Sequence, residues 1–211
     1  MQTGLAADLR RYPALWSVLI AALVCFPFVV SLADNQISAL ARWLLVVDVT
    51  RAGSVDIARL LEEMEPWRWF TPALIHFSLM HLVFNGLLAV LFGRPVEAAL
   101  GHTGCMALLL WLMLAGNLTQ VAFSATPYFG GLSGMVYGLV GYVAVMQRLQ
   151  PASPLWHLPP GLIPSLLAFL VLFSTGITEY FGLHIANAAH WGGLAAGVAA
   201  ALLIGLVWQK R

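Results

Sequence analysis

From residue 98 to residue 147 the chain runs for 50 residues without an Asp, Glu, Lys or Arg, and this stretch restricts the fold more than any other. As a single helix it would be about 75 Å long at 1.5 Å per residue, more than twice the ~30 Å hydrocarbon core of a bilayer. It must therefore make two crossings. Pro127, Gly130 and Gly131 cluster within residues 124–131, and proline and glycine are the strongest interruptions of a helical pattern. The break belongs there, with one span over 105–123 and the next over 133–148. With 61% hydrophobic and 9% charged residues, against about 25% charged in a soluble domain, the chain reads as an all-α integral membrane protein. A formal net charge of +1 argues against nucleic acid as a partner.

The remaining uncharged runs complete the pattern. Residues 12–33 make a first span. A signal peptide is the competing reading, because Arg10 and Arg11 precede the run and Ser31-Leu32-Ala33 resembles a cleavage site. The run is longer than a usual signal core and holds Pro13, Trp16 and Pro27, which favours a retained span. Residues 34–68 form a long polar loop. Within it, 37–47 is apolar, and Trp43 and Trp67 suit an interface, so short helices are expected in the headgroup layer. Residues 69–93 make a second span, 94–104 a short connection, 161–177 a fifth span and 186–208 a sixth. The expected architecture is a six-transmembrane-helix bundle over 12–208 with a long, partly interfacial first loop and short ends at 1–11 and 209–211. Arg10, Arg11, Arg94, Arg148, Lys210 and Arg211 all fall on the side of the termini, which the positive-inside rule makes cytoplasmic. The arginines of the first loop oppose this, but acids outnumber them there. Cys25 and Cys105 lie in apolar stretches and suggest packing, not a disulfide framework.

Chemistry is expected where polar groups enter the apolar runs, since such groups are costly unless they face protein or water. Ser133 begins the fourth span behind Gly130 and Gly131 and before Gly134. A helix N-terminus offers unpaired N–H groups that can hold an anion beside a serine nucleophile. Alone, this string reads more readily as a small-residue helix contact, and Met135 stands where a GxSxG elbow has its last glycine. His190 is a candidate base: Gly193 and Gly197 after it have the spacing that lets helices approach closely, which would bring the ring toward Ser133. An interhelical hydrogen bond without chemistry is the alternative for His190. Tyr137, four residues after Ser133, shares its face and would support the imidazole or simply pack. His81 and Asn85, four apart, offer neutral donors for an oxyanion, with His76 near the outer end of the same span. A metal site is the rival reading of the histidines, but His76 and His81 are five apart, no acid is near and HExxH is absent. No metal or cofactor is implied.

These residues resemble the rhomboid intramembrane serine proteases, most closely the bacterial GlpG type. The similarity runs from Trp67-Arg68 through His76-Phe77-Ser78-Leu79-Met80-His81 with Asn85, Glu97 with Gly101, Gly130-Gly131-Leu132-Ser133-Gly134 with Tyr137, to Ala189-His190 with Gly193 and Gly197. The resemblance implies an endopeptidase of the bacterial inner membrane, with Ser133 as nucleophile and His190 as base. His81, Asn85 and the Ser133 N–H would bind the oxyanion, with Tyr137, His76, Gly131 and Gly134 in support. Glu97 and Trp67-Arg68 would be structural. Partners would be membrane lipids and transmembrane substrates entering sideways past the fifth span, with the oligomeric state open. Two departures stand out. The soluble N-terminal domain of many such enzymes is not expected here, and Pro72 replaces a histidine that helps hold water, a role that passes to Asn117 and Gln120. Two other readings are an inactive relative that binds membrane proteins, which would usually lack the serine or histidine, and a small transporter, which would need paired intramembrane charges.

Overall fold

The structure, a computed structural model, describes residues 4–30, 39–50 and 55–208. These residues form an all-α bundle. Its helices are α1 (Leu5–Arg11), α2 (Pro13–Val30), α3 (Ala39–Leu44), α4 (Ile57–Glu63), α5 (Leu79–Phe123), α6 (Ser133–Leu149), α7 (Leu162–Ser174) and α8 (Asn187–Trp208). Two of them, α5 and α8, are long and apolar enough to cross a membrane. The α1–α2 pair, bent by 114°, makes a third crossing if counted as one span, and α7 is a shorter apolar helix. On α5 the exposed side chains Met80, Val83, Phe84, Leu87 and Leu91 recur at helical spacing, a face suited to lipid and not to water. The chain is a multi-spanning membrane protein.

The centre of the bundle is α6. Every residue from 134 to 143 is buried, as expected of a helix that is apolar all round. It lies between α5 and α8. A Cβ on Gly193 would overlap the Gly134 carbonyl oxygen, and one on Gly197 the Gly138 carbonyl oxygen, so the α6 and α8 backbones touch through these glycines. Tyr142, Met146 and Trp156 are fully buried at the far end, where Gln147 Nε2 donates to the Trp156 carbonyl at 2.8 Å.

The break between α5 and α6 falls inside residues 124–131, as the proline and glycine cluster there requires. Two other boundaries differ from expectation. Residues 69–78 are not helical span but the end of one 3-10 turn, Pro66–Trp69, then a second, Thr71–Leu74, and a loop; Ser78 Oγ then caps α5 by accepting from the His81 N–H at 3.1 Å. Nor is 94–104 a loop. The helix continues through Pro95 and breaks only at Gly101, whose φ of 70° is left-handed, leaving two arms each about 33 Å long at 1.5 Å per residue. Asn85 on the first arm and Asn117 on the second both reach residues 69–76, so the arms run side by side in opposite directions.

The charge-based boundary fails because Glu97 has no need of a water-facing loop. It is 2% exposed, and its two oxygens accept from the Ala14 and Leu15 N–H groups at 2.9 Å each. Pro13 at the first position of α2 has no N–H to satisfy, so Glu97 takes the next two donors, and His102 Nδ1 lies 2.9 Å from Oε1. Replacing Glu97 by Ala leaves two backbone donors without partners, at about 1–3 kcal/mol apiece. Thermal unfolding in detergent should therefore give a loss of about 2–6 kcal/mol for Glu97→Ala, and roughly half for Glu97→Gln, which keeps one acceptor oxygen. A wild-type midpoint for Glu97→Ala would refute the cap.

Nearby, Asp8 receives bonds from Arg94 Nη2 at 2.7 Å and Trp16 Nε1 at 2.8 Å. Burial pushes its carboxyl up, but the Arg94 and Trp16 bonds outweigh this and hold it below the usual carboxylate range. The first loop is tied down by side chains. Arg68 Nη1 donates to the Arg42 and Leu45 carbonyls at 2.7 and 2.8 Å, its Nε pairs with Glu65, and Trp43 stacks on Trp67 at 4.7 Å. Ser31-Leu32-Ala33, Asp34, Arg51, Lys210 and Arg211, which entered the cleavage and topology readings, lie outside the described residues.

Candidate active site

Ser133 is the first residue of α6. Two residues before it, Gly131 has a φ of 115°, a conformation L side chains rarely adopt. A Cβ there would stand 2.6 Å from His81 Cε1 and 2.7 Å from its Nε2. Glycine is thus required twice over, by backbone conformation and by the His81 ring against it. The Gly131 N–H donates to the Pro72 carbonyl at 3.1 Å, which anchors the turn to the loop before α5.

His190 enters from α8, 6% exposed, with Nε2 2.8 Å from Ser133 Oγ. The close approach of α6 and α8 at Gly193 sets this distance, because Ser133 and His190 lie within one turn of the glycine contact. The Tyr137 ring lies beside the imidazole, centroids 4.8 Å apart and planes at 35°, and its hydroxyl donates to the Leu166 carbonyl of α7 at 3.1 Å. Gly134 completes the contact, with the Ala189 carbonyl oxygen 3.2 Å from where its Cβ would be. A serine hydroxyl bonded to a buried imidazole can serve as a nucleophile with its base, or as a hydrogen bond between two helices.

Across the turn sit His76, His81 and Asn85. His76 is fully buried. Its Nε2 is 3.2 Å from Asn85 Nδ2 and 3.3 Å from the Leu132 nitrogen, and its Nδ1 is 3.2 Å from the Leu74 carbonyl. The His76 and His81 rings lie 4.9 Å apart. His81 is half-buried, and its ring nitrogens have no hydrogen-bond partner among the described residues, so they are available to a ligand next to Gly131.

Beside Ser133 and the glycine turn is a cavity of about 10 Å³ lined by Ala73, Gly116, Asn117, Gly131, Ser133 and Ala189, among others, room for about one water molecule. Asn117 borders it while donating from Nδ2 to the Trp69 and Phe70 carbonyls at 2.9 and 3.3 Å. Gln120 does not line it; its Oε1 accepts from the Ala189 N–H at 3.0 Å, capping the first turn of α8. Of the two residues expected to share a water-holding role, Asn117 lines the cavity and Gln120 does not.

Asn187 went unnoticed in the sequence. It stands three residues before His190, on the same helical face, and its Nδ2 donates to the Phe173 carbonyl of α7 at 3.0 Å. That spacing was the available signal. The arrangement thus brings a serine, an imidazole and two polar groups of α5 together around a glycine turn, with a small cavity beside Ser133. The family model described as the rhomboid domain matches residues 63–206, a range that begins in α4 and contains every one of these groups. Since that match spans well over half of the chain, the protein belongs to the rhomboid family.

Proposed function

We propose that this protein is an intramembrane serine endopeptidase of the bacterial GlpG type, using Ser133 and His190 as a dyad. The observation that carries this reading is the 2.8 Å separation of His190 Nε2 and Ser133 Oγ, at a helix N-terminus beside unpaired donors. In the reaction, Ser133 Oγ attacks the scissile carbonyl carbon while its proton passes to His190 Nε2. The carbonyl oxygen becomes an oxyanion facing the Ser133 N–H, the His81 ring and the second N–H of Asn85, each such donor being worth about 10²–10³ in rate. His190 returns the proton to the leaving nitrogen, the C–N bond breaks, and an acyl-Ser133 ester remains. Water attacks that ester, giving its proton to His190 and then to Ser133 Oγ, which frees the new carboxyl end.

On this reading, the two arms of α5, together with α2, α6, α7 and α8, are six crossings with both termini in the cytoplasm of a bacterial inner membrane. Substrates are transmembrane proteins that approach from the lipid beside α7. That helix fully buries only Leu170, packs Leu162, Ile163, Leu166 and Leu167 partly against the core, and makes three polar bonds to its neighbours, Tyr137 to Leu166, Asn187 to Phe173 and Trp191 to Ser174. A helix held so lightly yields to a substrate at modest cost.

The test is reconstitution of the purified protein in liposomes with a single-span substrate of locally unstable helix. The expected result is cleavage within or next to the substrate's span, blocked by a fluorophosphonate whose adduct maps to Ser133 by mass spectrometry. Binding of the substrate without cleavage would instead support an inactive, client-binding relative.

A further inference from the structure

The loop before α5 meets the glycine turn at two points, the Gly131 N–H on the Pro72 carbonyl and the Leu132 N–H on His76 Nε2. The second contact settles a chemical ambiguity. A backbone N–H is only ever a donor, so His76 Nε2 must present its lone pair, and the ring proton sits on Nδ1, where the Leu74 carbonyl accepts it at 3.2 Å. With Nε2 an acceptor, the group of Asn85 that faces it has to be the amide nitrogen and not the oxygen. One N–H of Asn85 then points at His76, and the other is left over.

We propose that His76 is a positioning residue for the oxyanion site: its unprotonated Nε2 fixes the Asn85 amide with nitrogen toward the reacting carbonyl, and holds Leu132 so that α6 begins at Ser133. The inference rests on the protease reading for its consequence, though not for its geometry. Three partners satisfy both ring nitrogens of a side chain with 0% exposure. The opposite tautomer would direct a proton at two donors, and the Asn85 amide would then turn its oxygen toward the developing negative charge. The loss falls on the transition state and not on substrate binding.

Steady-state cleavage in liposomes should therefore show kcat about 10- to 100-fold lower for His76→Phe, which keeps the ring shape but has no acceptor, with KM within about threefold of wild type. His76→Gln, whose side-chain oxygen reaches the Nε2 position, should retain most of the rate. In an Asn85→Ala background the same His76→Phe change should cost much less, because residues that act through one another are non-additive. Equal losses in both backgrounds, or an unchanged kcat for His76→Phe, would overturn the proposal.

Nitrogen NMR of the imidazoles in the Ser133→Ala protein provides a readout that needs neither activity nor a change at His76. The expected spectrum has His76 protonated at Nδ1 and bare at Nε2, and a proton on Nε2 refutes the proposal even if proteolysis is intact. Absence of cleavage by the unaltered enzyme would instead remove the protease reading and leave the tautomer result standing.

Discussion

Changing His190 to Ala should reduce peptide hydrolysis by at least about 10³-fold, toward the ~10⁶ that removing one member of a serine–histidine unit costs in kcat, while leaving the bundle folded. The size follows from the chemistry. With no base at 2.8 Å, the Ser133 hydroxyl must give up its proton unaided, and no acid stands ready for the leaving nitrogen. Among the described residues no Asp or Glu reaches His190, so nothing nearby takes over. Ser133→Ala should be as inactive, and the double variant no worse than either single one, because each half of the dyad is useless alone. Fluorophosphonate labelling of Ser133 should vanish in His190→Ala, and substrate binding should remain. Residual cleavage within tenfold of wild type in either single variant would sink the dyad.

Gly193→Ala should be nearly as damaging through geometry alone. Its methyl group would coincide with the Gly134 carbonyl oxygen, and since that contact is backbone on backbone, no side chain can swing aside to relieve it. The helices α6 and α8 must separate, by about 1 Å or more, and a misplacement of that size costs about 10² in rate. The expected result is a fall of at least 100-fold in kcat together with a lower thermal midpoint. Ala195→Val, an exposed position two residues on in the same helix, should change neither. A fully active Gly193→Ala enzyme would mean that the close approach does not set the Ser133–His190 distance.

Helix ends were legible in the sequence where apolar runs ended at a charge, as α6 does beside Arg148. Pro127, Gly130 and Gly131 marked the break before α6 correctly because a proline and two glycines leave few helical options. Glu97 defeated the same logic. Its charge suggested a loop, yet its partners are two backbone N–H groups more than eighty residues away in the chain, and no local pattern announces a carboxylate matched to a distant helix end. The grouping of Ser133, His190 and Tyr137 could be read from GxxxG spacing and helical faces. What His76 does could not, since its partners are a backbone donor and an amide whose orientation depends on the fold. The backbone partner of Gln120 was hidden for a related reason: its polarity was visible, but not that its oxygen would accept from the Ala189 N–H.

The Glu97 cap also imposes an order on assembly. Helix α2 leaves the ribosome long before residue 97 exists, so its first donors have no protein acceptor until α5 is more than half made up to its kink. Nascent chains that stop before Glu97 should therefore hold α2 loosely, and chains extended past His102 should protect the Ala14 and Leu15 amides from hydrogen exchange. One carboxylate thus turns the sequence of synthesis into a sequence of docking, and the first helix made is among the last to be fastened.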